Sequence, residues 1–148
     1  MTKAPANSTM QTTATSAAAE MSEAEQTLGL VHGAAYVAMG LWPTLNLRSF
    51  ARATGPKPEG WLVKAVGLLL VSIGVTLIRG TRNREGKSVP TLAVGAASAL
   101  GSVALFYSAK RRISPVYFAD AAFHLGLAST WGVLLARKAM GKRRVRVA

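Results

Sequence analysis

Leu41–Gly67 reads LWPTLNLRSFARATGPKPEGWLVKAVG. Apolar sequence stops inside this stretch, a basic link rich in Gly and Pro intervenes, and apolar sequence resumes. Trp42 and Trp61 stand at its two edges. Amphipathic rings of this kind collect where a membrane meets water. The stretch therefore reads as the end of one transmembrane helix, a link at headgroup level and the start of the next. Arg48, Phe50 and Arg52 suit a short turn of helix in the headgroup region, Gly55-Pro56 stops it, and Pro58 with Glu59 suits the first turn of a new helix. Arg52, Lys57, Trp42 and Trp61 are its headgroup-level residues.

Working outward, three more apolar runs appear. The spans are expected at about 28–47, 61–79, 89–109 and 115–136, each near the ~20 residues that cross a bilayer. Gly29 and Gly33 are spaced for close helix contact, and Pro43 is placed to bend or finish the first span. The third span is rich in small residues, Gly95 to Ala99 and Gly101-Ser102, and is expected at the centre of the bundle. Ser114-Pro115 reads as the N-cap and first position of the fourth span. Residues 1–27, rich in Ala, Thr and Ser, are expected as a disordered tail, although Ser22 with Glu25 fits a capping box that starts the first helix before the bilayer. Residues 139–148 read as a basic tail able to meet anionic headgroups. The fold class is all-α, a four-helix membrane bundle over 28–138.

Composition agrees. The chain has 148 residues, sized for one domain. Half are hydrophobic and only 16% are charged, against about 25% in ordinary soluble domains. The net charge of +12 lies between the apolar runs rather than along one helix face, which argues against nucleic acid as a partner. The absence of Cys excludes disulfides, thiolate zinc sites, iron–sulfur clusters and thiol catalysis.

Four spans put both termini on one side. Arg79, Arg82, Arg84, Lys87, Arg137, Lys138, Lys142, Arg143, Arg144 and Arg146 lie there, ten basic residues against seven on the other side, Arg48, Arg52, Lys57, Lys64, Lys110, Arg111 and Arg112. The excess favours cytoplasmic termini. Aromatic residues from Trp42 to Phe118 gather on the opposite side, with Trp131 near the terminus-side boundary.

Asp120 is the most informative residue, because a carboxylate in an apolar span is costly and turns toward protein or water. Lys64 lies at a similar shallow depth and Arg48 in the adjacent link. The preferred reading is an ion pair of Asp120 with Lys64 or Arg48 that fixes the bundle; the rival is a proton-linked or ligand-binding carboxylate. His124, four residues on, shares its helix face. A neutral, hydrogen-bonded imidazole is the expected state, with a proton relay or metal as the alternative. His32 and His124 invite a haem, but their expected depths differ by about 11 Å along the helix axes, where ~4 Å would separate two axial nitrogens. No metal or cofactor is expected, and no nucleotide loop, nucleophile elbow, zinc-protease motif or paired carboxylates supply catalysis.

Length, the four spans and the polar link resemble the small DoxX-like bacterial membrane proteins over about residues 28–138, with RSFARATGPKPEGWLVKAVG and RISPVYFADAA as signature-like stretches. The resemblance implies an inner-membrane accessory protein linked to redox or stress physiology, and carries over no catalytic residue. The expected function is a structural or accessory subunit without catalysis, in contact with membrane lipids and with a membrane partner or a second copy. The alternative is a small proton-linked transporter or lipophilic-ligand binder using Asp120 and His124.

Overall fold

Ser22 and Glu25 form the capping box: the Ser22 hydroxyl accepts from the Glu25 N–H at 3.3 Å, and the Glu25 carboxylate accepts from the Ser22 N–H at 2.7 Å. Two donors that a helix start leaves unpaired are thereby satisfied, and α1 runs from there over Glu23–Leu45. The computed structural model describes residues 21–147. The tail expected over 1–27 lies outside the described residues up to position 20, and its last residues belong to α1. Pro43 sits inside the final turn of α1, buried.

A short helix, α2 (Leu47–Thr54), follows one residue later, capped by the Asn46 side chain, which accepts from the Ser49 N–H at 2.9 Å. Gly55 ends it at φ 89°, a left-handed conformation that glycine adopts without steric cost. Then come α3 (Gly60–Arg82), α4 (Ser88–Ala109) and α5 (Tyr117–Val147). Ser114–Val116 enters α5 through tight i→i+3 hydrogen bonds, so the regular helix begins at Tyr117 rather than at Pro115. At its far end α5 does not stop near 136. It continues through the residues expected to be a tail, because nothing from Arg137 to Val147 breaks a helix except one glycine.

α1, α3, α4 and α5 are each long and apolar enough to cross a bilayer. No strand occurs among the described residues. The chain is a multi-pass membrane protein built as a four-helix bundle. Large apolar side chains cover its outside: Val31, Leu69 and Val103 are each more than half exposed. In water that surface would be unstable; against acyl chains it is the expected one.

Two antiparallel pairs make the bundle, α1 with α3 and α4 with α5. Glycines set the first pair. A Cβ at Gly33 would lie 2.7 Å from the Gly74 carbonyl oxygen, and one at Gly74 would lie 2.6 Å from the Gly33 oxygen. Gly40 and Gly67 face each other in the same way, and Gly29 faces Thr81. Backbones meet here without side chains between them, which is how membrane helices gain packing contacts in the absence of a hydrophobic drive. The second pair uses the α4 face Ala93, Ala97, Gly101, Ala104 and Ser108, all buried. α4, like α1, touches each of the other three spanning helices, though not every small residue serves that packing: Gly95 faces open space.

Candidate functional site

The inward face of α1 carries Glu25, Gly29, His32 and Tyr36, spaced by four, three and four residues. That spacing holds one stripe of a helix. All four residues are buried, so the stripe takes polar groups through the middle of the bundle.

Tyr36 is fully buried, and its hydroxyl lies 3.1 Å from Nδ1 of His124 on α5. Nε2 of His124 faces Oδ1 of Asp120 one turn away, at 3.5 Å. A carboxylate, an imidazole and a phenol thus stand in file. Asp120 retains 28% exposure while His124 retains 2%, so the file opens toward the α2 side and closes inward. Gly101 of α4 makes the room: a Cβ there would reach 3.1 Å from Cβ of His124.

His32 lies beyond Tyr36, its ring centroid 4.3 Å away in an edge-on contact. Nδ1 of His32 accepts from the indole N–H of Trp131 at 3.2 Å. Indole nitrogen only donates, so the His32 proton sits on Nε2, which has no partner among the described residues. Trp131, expected near the terminus-side boundary, is wholly buried and belongs to this cluster. At the terminus-side end, Glu25 meets Lys138 of α5 at 2.9 Å.

The two imidazoles differ in what they tolerate. A charged imidazole has two N–H donors. His124 has a suitable acceptor at each nitrogen: the Asp120 carboxylate at Nε2 and the Tyr36 oxygen, which can reverse its role, at Nδ1. His32 does not, since a proton on Nδ1 would oppose the Trp131 N–H. His124 thus has a group able to accept a hydrogen bond at each ring nitrogen, whereas Nδ1 of His32 meets only a donor.

Of the residues singled out in the sequence, the structure joins Asp120 with His124 and leaves Lys64 and Arg48 apart from them. Among the described residues neither cation forms an ion pair with Asp120, and both are exposed. The expected Asp120–Lys64 or Asp120–Arg48 pair is replaced by a contact within α5, because a partner one turn along the same helix needs no reach across the bundle. Trp42 and Trp61 flank the link, with Arg52 exposed and Lys57 half-buried between them. Tyr36, Trp131 and the Glu25–Lys138 pair were missed by sequence reasoning. The signal available for the first was the Glu25–Gly29–His32–Tyr36 periodicity; nothing in the sequence pairs α1 with a given turn of α5.

As for cofactors, the Tyr36 ring stands between the imidazoles of His32 and His124, 5.4 Å from the latter. Among the described residues no three His, Asp or Glu side chains converge to hold a metal. No protein-family model, curated protein or solved structure matches the chain, so its functional reading rests on this geometry.

Proposed function

We propose that this chain is a proton-linked membrane protein in which His124, backed by Asp120 and Tyr36, takes up a proton from the α2 side and couples it to small-solute transport or ligand binding. One observation carries the reading: His124 is buried with partners suited to both its neutral and charged forms. A purely structural contact needs no second protonation state. The ten-to-seven charge excess supports placing the protein in a bacterial inner membrane with both termini in the cytoplasm, so that Asp120 faces outward. The four spans and the polar link support kinship with DoxX-like proteins as part of the same proposal.

The second reading is an accessory subunit whose polar file only locks the helices. The glycine seam and the full burial of His32, Tyr36 and Trp131 favour it. Protein carrying 15N-histidine in lipid nanodiscs separates the two. Under the first reading the His124 resonances convert to the charged form as the medium is acidified, while His32 remains neutral with its proton on Nε2. Both rings remaining neutral throughout would leave the accessory reading in place.

A further inference from the structure

The α2 side of the bundle carries seven cations, Arg48, Arg52, Lys57, Lys64, Lys110, Arg111 and Arg112, against the two carboxylates Glu59 and Asp120. Both acids are engaged elsewhere. Glu59 accepts from the Trp61 indole N–H at 2.9 Å, and Asp120 faces His124. Lys57 is spent within the protein: its ammonium donates to the Thr54 carbonyl at 2.9 Å and lies 5.1 Å from the Tyr117 ring. Arg48, Arg52, Lys64, Arg111 and Arg112 are exposed and form no ion pair among the described residues.

These cations sit at a defined level. Trp42 donates to the Ser49 hydroxyl at 3.3 Å and packs edge-on against Phe50, with 44% of its surface exposed. Trp61 is 70% exposed. Each indole has its polar end tied down beside the link and its apolar face turned outward, the posture of a ring at the edge of a bilayer. α2 itself is amphipathic, with Leu47 and Phe50 partly covered, Thr54 buried, and Arg48 and Arg52 outward. The link is also anchored to the start of α5, since Lys57 lies over Tyr117 and Gly55 abuts Ser114. The platform is therefore held in place where phosphates would lie.

We propose that this platform binds an anionic phospholipid, its phosphate held by Arg48 and Arg52 and its acyl chains lying along Trp42 and Trp61. The charge supports this occupant: guanidinium groups match phosphate oxygens, and the rings beside them are placed for a molecule that is charged at one end and apolar at the other. The proposal is independent of the protonation of His124.

The test is native mass spectrometry of protein released from nanodiscs of mixed phosphatidylglycerol and phosphatidylcholine. The parent should retain phosphatidylglycerol preferentially. Arg48→Gln with Arg52→Gln should lower that affinity about thirtyfold, from roughly 1 kcal/mol for each cation near the surface. Arg48→Lys with Arg52→Lys keeps the charge and should retain most of the binding. Arg82→Gln with Arg84→Gln, on the other side, should leave it unchanged. No lipid preference in the parent, or an equal loss from both Gln pairs, overturns the proposal. Displacement of the lipid by a soluble poly-glutamate peptide would also overturn it, in favour of an acidic protein partner.

Discussion

Tyr36 and His124 lie 88 positions apart in the chain and 3.1 Å apart in the bundle, phenol oxygen to imidazole Nδ1. This contact ties α1 to α5 across the centre, and it orients the ring that faces Asp120. Replacing Tyr36 by Phe keeps the aromatic volume and removes the hydroxyl alone. Nδ1 of His124 is then buried without a partner, at a cost of about 1–3 kcal/mol. A lower melting temperature in detergent, with a shift in the His124 ring nitrogens by NMR, is the expected outcome. An unchanged melting temperature would mean that another group satisfies Nδ1.

The Asp120 contact predicts a specific pattern of coupling. Asp120→Asn and His124→Gln should be non-additive in a double-mutant cycle, because they share one interaction. Asp120→Asn with Lys64→Met or Arg48→Met should be additive within about 0.5 kcal/mol, since no contact links them. Folded yield and melting temperature for the singles and doubles decide it. Coupling to Lys64 or Arg48 instead would restore the inter-element ion pair as the role of Asp120.

The glycine seam makes a contrast between positions. Gly33→Leu or Gly74→Leu drives a side chain into a facing backbone carbonyl and should separate α1 from α3, costing at least about 1–3 kcal/mol by overpacking. Gly95→Leu enters open space on the lipid face and should leave the melting temperature unchanged or raised. Equal effects at Gly33 and Gly95 would contradict the seam.

Topology is checked by reporter fusions after Pro56, Arg84, Arg112 and Ala148. Cytoplasmic signals are expected at Arg84 and Ala148, and periplasmic ones at Pro56 and Arg112. A periplasmic signal at Arg84 reverses the proposed orientation and with it the side from which Asp120 meets protons.

Much of the architecture was legible in residue order. Four apolar runs, broken within only by Lys64 and Asp120 and separated by basic links, dictate four helices, since only internally satisfied backbones cross a bilayer. Ser22 with Glu25, Asn46 and Gly55 mark helix ends through local chemistry that depends on a few neighbouring residues. His124 was placed beside Asp120 by helical spacing alone.

Which helices meet, and at which turn, was decided by tertiary structure. Gly33 opposes Gly74 because two side-chain-free surfaces allow the closest approach, and that register then fixes the height of every other residue on α1. Tyr36 reaches His124, Trp131 turns inward to His32, and Asp120 keeps a partner from its own helix. Spacing along one helix is a property of the sequence, because 3.6 residues make a turn everywhere. Pairing between helices depends on packing among all of them at once, and no local stretch contains it.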